Sequence, residues 1–357
     1  MLNWMLVFVP IAIALELVAQ EYHLLVFLAA ALAIIPLAGW LGRATEQLAE
    51  RSGEGVGGLL NATFGNATEL IIALSALRAG LHDVVKASIA GSIVGNILLV
   101  MGAAMLAGGL RHKEQQYNAS AARSQATLLT LATIALILPA AYNAVVASRA
   151  PHGLLSLSLY ISLVLLLVYG LFLVYSLITH KSLFSGAPDL QHTSDQGVLW
   201  PMGKALLVLA LATLLIAWIS EILVAAIEPS ARQLGLSNLF VGVFVVAILG
   251  NAAEHASAIS AAMKNRMDLS LSIAIGSSVQ VALFVAPVLV LASHFIGAIP
   301  MDLAFSGGLV LTVLLAVLIT GQVAGDGRSD WLKGVQLLAV YLILGLAYFF
   351  TPDASVS

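Results

Sequence analysis

The 357-residue chain contains no cysteine. That excludes disulfides, thiol nucleophiles, thiolate metal sites and iron–sulfur clusters, and it leaves the redox compartment open. Charge is scarce: Asp, Glu, Lys and Arg supply 9% of the residues, where a soluble domain carries about 25%. A net charge of −3 offers no basic surface to nucleic acid. There is no Gly-x-x-x-x-Gly-Lys-Ser/Thr phosphate loop, so no nucleotide partner and no direct use of ATP is expected. No ladder of arginines marks a voltage sensor. Nothing supplies a nucleophile, a metal triad or a cofactor loop, so neither an enzyme nor a cofactor is expected. No Lys or Arg precedes the first apolar run, about residues 4–19, and no small-residue cleavage site is evident. That run is expected to be a retained helix rather than a signal peptide.

What remains is apolar. Hydrophobic residues make up 61% of the chain and the mean hydropathy is +1.02. A membrane-crossing helix needs about 20 mostly apolar residues. Eleven segments qualify, at roughly 4–19, 23–42, 56–77, 83–108, 124–147, 153–179, 203–227, 236–262, 268–293, 302–321 and 332–350. The expected fold is an all-α polytopic membrane protein whose partner is the lipid bilayer. The longest polar connection, about 180–202, carries Lys181, Pro188, Asp189, His192 and Asp195.

Numbering the loops alternately from an inside N-terminus gives an independent check. Arg43, Arg51, Arg111, Lys113, Arg123, Lys181, Lys204, Lys264, Arg266, Arg328 and Lys333 fall inside, and Arg78, Lys86, Arg149 and Arg232 outside. The ratio of 11 to 4 is the bias of the positive-inside rule. The N-terminus is therefore expected in the cytoplasm and the C-terminus outside. In a bacterial-type cell the membrane would be the plasma or inner membrane; in a eukaryote a vacuole is as natural.

Sliding the sequence against itself by 185 residues aligns residues 56–100 with 241–285 without a gap, at 16 identities in 45 positions. Gly65/Gly250, Asn66/Asn251, Glu69/Glu254, Asp83/Asp268, Gly91/Gly276 and Ser92/Ser277 stay in register. These positions are polar or glycine, which shared Ala and Leu cannot explain. The chain divides into residues 1–22, an extra N-terminal helix; 23–180, repeat one; 181–202, a cytoplasmic linker; 203–351, repeat two; and 352–357, a tail. Five spans per repeat invert the second copy. In inverted repeats, substrate and ion sites lie near the bilayer midplane at the repeat interface.

Glu69 and Glu254 are the informative residues, because an ionisable group inside an apolar span is costly and marks a functional site. In Gly65-Asn66-Ala67-Thr68-Glu69 the polar residues share a helical face. Gly65 weakens the helix and releases a carbonyl, and Gly250, Asn251 and Glu254 repeat the arrangement. Two carboxylates, amide oxygens and freed carbonyls make an all-oxygen cage, suited to a hard cation such as Ca²⁺ with its six to eight oxygens. Ser92 and Asn96 share a face of the fourth helix, and Ser277 and Gln280 lie on the ninth. The serines also read as helix-packing residues, and Gly91 with Gly95 as a small-xxx-small pattern. His255 follows Glu254 and is either a packing residue or a group that tunes that glutamate and relays its proton. Glu46 and Glu221 would draw cations to the entrances of the pathway. Glu46 reads equally as a solvated helix end, while Glu221, deeper in apolar sequence, is the stronger candidate.

These motifs resemble a known family. Gly-Asn-Ala-Thr-Glu followed by Gly-Ser-Ile-Val-Gly-Asn, and Gly-Asn-Ala-Ala-Glu-His followed by Gly-Ser-Ser-Val-Gln, are similar to the two repeats of the calcium/cation antiporter superfamily. They resemble its Ca²⁺/H⁺ exchanger branch in particular. Neither repeat has the Ser-x-Pro-Glu type motif of the Na⁺/Ca²⁺ branch, and Lys264-Asn265-Arg266-Met267-Asp268 is typical of the proton-coupled one. The resemblance implies that Glu69 and Glu254 bind the cation and also take the protons. It implies that carbonyls near Gly65 and Gly250 complete a Ca²⁺ site, lined by Asn66, Asn251, Ser92, Asn96, Ser277 and Gln280. Ca²⁺ is then the transported substrate and H⁺ its counter-ion, with a homo-oligomer allowed but not required. The acidic helix that some members carry between the halves is absent: the linker has only Asp189 and Asp195. The alternatives are a Na⁺-coupled or Mn²⁺-carrying exchanger of the same fold, a cation channel, and a membrane-embedded enzyme using paired carboxylates.

Overall fold

The computed structural model describes residues 3–146, 153–184, 199–297 and 299–351. Pro188, Asp189, His192 and Asp195 of the linker, Arg149, and the 352–357 tail lie outside the described residues. The helices, in chain order, are α1 (Asn3–Val18), α2 (His23–Phe64), α3 (Ala67–Arg78), α4 (His82–His112), α5 (Ala119–Val146) and α6 (Gly153–Thr179). After the short α7 (Lys181–Phe184) come α8 (Met202–Leu234), α9 (Asn238–Gly250), α10 (Ala252–Met263), α11 (Met267–Ala292), α12 (Gly307–Ala324) and α13 (Trp331–Phe349). Two three-residue strands, β1 (Glu114–Gln116) and β2 (Arg328–Asp330), pair antiparallel.

Among the described residues eight helices are long and apolar enough to cross a membrane, or nine when the bent α9–α10 pair counts as one span. The two further segments expected from the sequence are also helical. One is the shorter α1; the other, 56–77, is divided between the end of α2 and α3. An all-helical polytopic membrane protein is therefore the observed fold class.

Two boundaries differ from the sequence reading. The polar stretch 43–55 was expected to be a loop, yet α2 continues through it with a kink at Gly53, whose φ of 77° needs a residue without Cβ. The reason is a second amphipathic pattern: Ala44, Thr45, Leu48 and Ala49 are buried while Glu46, Glu50 and Arg51 are exposed. Lys86, counted with the outside loops, lies inside α4 and is buried at 8% exposure. Removing it leaves three basic residues on that side, so the charge bias strengthens.

The chain forms two compact units that do not coincide with the sequence repeats. The first combines residues 1–91, 199–253 and 345–357. Within it α2 packs along α8, the opening helices of the two repeats, burying Ile34, Leu41, Ile216 and Ile219. Trp40 and Trp200 meet with ring centroids 5.8 Å apart, and Trp200 N–H donates to Gln47 Oε1 at 2.7 Å. The second unit combines residues 92–198 and 254–344. There α11 packs on α5 and α6, α12 packs on α5, and the second half of α4 buries Ile93, Ile97, Leu98, Met101 and Met105.

Within each unit the polar contacts join loops that alternation places on one side. Arg51 reaches Leu199 O in the first unit. In the second, β1 pairs with β2, Gln115 Nε2 donates to Asn265 Oδ1 at 2.9 Å, and Arg123 donates to Gly325 O at 2.8 Å.

The small-xxx-small pair of α4 divides in its role. A Cβ on Gly91 would collide with the backbone of Val243, whereas one on Gly95 would have nothing within 4 Å. Gly91→Ala should therefore destabilise the protein by about 1–3 kcal/mol through overpacking. Gly95→Ala should be neutral or stabilising, by up to about 1 kcal/mol of helix propensity. Thermal unfolding of the two variants in detergent tests the contrast, and equal melting temperatures would refute it.

Candidate cation and proton site

Each repeat interrupts its helix at the same register. α2 ends at Phe64 and α3 begins at Ala67, leaving Asn66 at φ −102°, ψ 22°. α9 ends at Gly250 and α10 begins at Ala252, leaving Asn251 at φ −94°, ψ 5°. Both asparagines are fully buried. Asn251 Nδ2 donates to Ala247 O at 2.9 Å, a carbonyl that also accepts from Asn251 N–H at 3.3 Å. The break puts each glutamate in the first turn of a new helix: Glu69 in α3 and Glu254 in α10. A carboxylate there faces the positive end of the helix dipole, an interaction worth about 0.3–1 kcal/mol.

In the first unit Glu69 is buried at 7% exposure and lies over the glycine of the other repeat. A Cβ on Gly250 would stand 3.2 Å from Glu69 Cγ. Repeat two thus supplies the seat for the repeat-one carboxylate, and the seat requires glycine.

In the second unit Glu254 belongs to a hydrogen-bonded chain. Ser277 hydrogen-bonds to its carboxyl group. Asn96 Nδ2 donates to Ser277 Oγ at 3.1 Å, and His255 Nε2 meets Asn96 Oδ1 at 3.1 Å. Since Asn96 Oδ1 can only accept, His255 donates through Nε2 and is fixed in that tautomer when neutral. The donors run in one direction, from His255 to Glu254. Glu254 Oε2 is buried with no hydrogen-bond partner among the described residues.

The same helices carry wide π-helical turns, Gly95–Val100 in α4 and Val281–Val285 in α11. Asn96 and Val281, which open the shared stretch, are 185 residues apart, the offset of the repeat. Such turns release carbonyls and cluster at functional sites. Among the described residues no three His, Cys, Asp or Glu side chains gather into a metal cluster.

The expected residues separate into two groups. Ser92, Asn96 and Ser277 are buried in the second unit, and Gln280 is half-buried. Glu46 is exposed on α2. Glu221, expected deep among apolar residues, is instead exposed and paired with Arg78 at 3.0 Å. It lies well inside α8, and Arg78, the last residue of α3, reaches it. The sequence reading did not single out Gln125, whose side chain is buried in α5 beside Gly276. An amide within an apolar span was the signal available for it.

Long apolar helices, an inverted repeat and a carboxylate in the first turn after each helix break define a multi-pass transporter. The chain belongs to the sodium/calcium exchanger protein family, which matches it twice, over residues 22–178 and 204–350. It is 47% identical to a Ca(2+)/H(+) antiporter of Aphanothece halophytica over 359 residues, covering 98% of this chain and 96% of the relative. It is 44% identical to the Ca(2+)/H(+) antiporter ChaA of Bacillus subtilis (strain 168) over 317 residues, covering 88% and 89%. The solved structure of native YfkE superposes with a TM-score of 0.81 at 39% identity, covering 97% of this chain and 98% of that one.

The seat of Glu69 yields a test. Gly250→Ala should fold normally, because the neighbour need give only a few tenths of an ångström. It should slow Ca²⁺ transport about tenfold by displacing the carboxylate, and Gly250→Val should abolish it. Initial rates of ⁴⁵Ca²⁺ uptake in vesicles read this out.

Proposed function

We infer that the chain is a secondary active Ca²⁺/H⁺ antiporter that removes Ca²⁺ from the cytosol in exchange for protons by alternating access. The observation that carries this reading is the pair of register-matched glutamates, Glu69 buried and Glu254 half-buried, each in the first turn after a helix break. High-coverage relatives named Ca(2+)/H(+) antiporter support it.

The mechanism follows from charge. Glu69 and Glu254, both ionised, offer −2 and match one Ca²⁺. Protonation of both removes that attraction. A bare −2 in a low-dielectric membrane interior is expensive, so the transporter changes its access only when loaded with Ca²⁺ or with two protons. Carbonyls near Gly65 and Gly250, the side chains of Asn66 and Asn251, and the hydroxyls and amides of Ser92, Asn96, Ser277 and Gln280 would replace the ion's water. Glu46 is available to attract cations at the surface. Glu221, exposed and paired with Arg78, would join α3 to α8.

A Na⁺-coupled exchanger is the nearest alternative, because the family includes sodium/calcium exchangers by name. The absence of the Ser-x-Pro-Glu type motif favours protons. We also propose a cytoplasmic N-terminus and an outside C-terminus, supported by the charge of the loops. A reporter fused after Ser357 should be active only if it functions outside the cytoplasm.

In inverted vesicles, an imposed pH gradient should drive Ca²⁺ uptake without Na⁺. Glu69→Gln and Glu254→Gln should each lower the rate at least about 100-fold, since each removes a charge the cation requires. Uptake that depends on Na⁺ and ignores the pH gradient would select the alternative.

A further inference from the structure

The second unit encloses a cavity of about 250 Å³ bounded by the start of α5, by α7 and by the first turns of α11. None of the proposed cation-site residues lines it. Its α5 wall is Asn118, Ala121, Ala122 and Gln125, which share one helical face. From Asn118 to Gln125 the helix rises about 10 Å, at 1.5 Å per residue. α11 gives a similar length. Asp268 lines one end, and at the other Gln125 Nε2 lies 3.7 Å from where a Cβ on Gly276 would sit, two turns further along α11. The cavity is thus a slot that runs inward along two helices.

The two ends differ in chemistry. At the outer end Asp268 Oδ1 accepts from Asn118 N–H at 2.6 Å, which leaves Oδ2 without a partner among the described residues. Among the described residues that line the slot, Asp268 is the one carboxylate and none is Lys, Arg or His. At the inner end Gln125 is exposed by only 6% and has no hydrogen-bond partner among the described residues. A buried amide needs such a partner, and this one offers both a donor and an acceptor. Between the ends the wall is largely apolar, formed by Ala121, Ala122, Leu271, Leu183 and Phe184. The α7 side of that wall is held in place. Asn118 Nδ2 donates to Leu183 O at 3.2 Å, and Phe184 meets Phe172 and Tyr175 edge-on, with ring centroids 5.8 and 6.1 Å apart. A slot formed in advance lowers the ordering cost of binding.

We propose that this slot binds a linear aliphatic primary amine, with its ammonium at Asp268, its methylene chain along the apolar wall and a neutral hydrogen-bonding tip on Gln125. One carboxylate balances one ammonium. A second charge carried in to Gln125 would be buried and unpaired, which is costly, so the tip is a hydroxyl rather than another ammonium. A chain of about five methylenes, with a hydrogen bond of about 3 Å at each end, matches the length of the slot. A Ca²⁺ ion suits it poorly: the ion gathers six to eight oxygens around one point, and the polar groups here stand at opposite ends. The site does not depend on the antiport reading, because it shares no residue with the cation site.

The test titrates four probes against the full-length protein in nanodiscs by saturation-transfer NMR, with empty nanodiscs as the blank. 5-Aminopentan-1-ol should bind. Pentane-1,5-diol, which lacks the charge, and pentylamine, which lacks the tip, should each bind about five- to tenfold more weakly. 2-Aminoethanol is too short to reach both ends and should be weaker by at least about tenfold. Asp268→Asn, which keeps the bond from Asn118 N–H, should bind the amino alcohol no better than the diol. Gln125→Leu should bind it no better than pentylamine. Each variant thus loses one discrimination and keeps the other, a pattern that general damage to the fold does not produce. Ala122→Leu fills the slot from α5 and should abolish binding. Wild-type protein that binds all four probes alike, or none of them, would overturn the proposal whether or not the variants fold. Undiminished binding to Ala122→Leu would overturn it as well.

Discussion

A carboxylate inside a bilayer has two inexpensive states: protonated, or bound to a cation. Most of what is unusual in this chain follows from holding two of them there. A continuous helix offers an ion nothing, because its amides and carbonyls are paired internally. Interrupting the helix at Asn66 and Asn251 places each glutamate in the first turn of a new helix.

The breaks require small neighbours, and the repeat places them. Gly250 leaves the space that Glu69 occupies, and Gly91 lets α4 lie directly on the backbone at Val243. The π-helical turns in α4 and α11 extend the logic, since a wide turn loosens the backbone without ending the helix. They recur at the repeat offset, which indicates that the second copy repeats the backbone geometry of the first as well as its polar residues.

Much of this was readable from the chain. The glutamates, the asparagines and the glycines stand out because polar residues are rare in apolar sequence, and the ungapped register pairs them. The helical spans and their alternation follow from hydropathy and loop charge. What escaped depends on contacts between distant segments. Glu221 looked buried by its neighbours in sequence, but Arg78 from another helix meets it at the surface. Lys86 looked like a loop residue because it lies five positions into its helix, while packing sets its 8% exposure. The continuation of α2 to Phe64 was hidden by charges that prove to be one face of an amphipathic helix. Gln125 was passed over because it has no repeat mate to draw attention to it: the matching position is Val310.

The symmetry of the repeats stops at the surroundings of the two carboxylates. Glu69 rests over a glycine, whereas Glu254 ends a chain of donors that begins at His255. The position matching His255 is Leu70, and the one matching Asn96 is Val281, so repeat one has no such chain at these positions. Coupled sites give up their protons in distinct macroscopic steps. In the proposed exchange of one Ca²⁺ for two protons, such steps would let the first proton leave while the second still neutralises the site. The bare −2 state then need never form before the cation is in place. Duplication supplies the two charges, and the divergence around them orders their use.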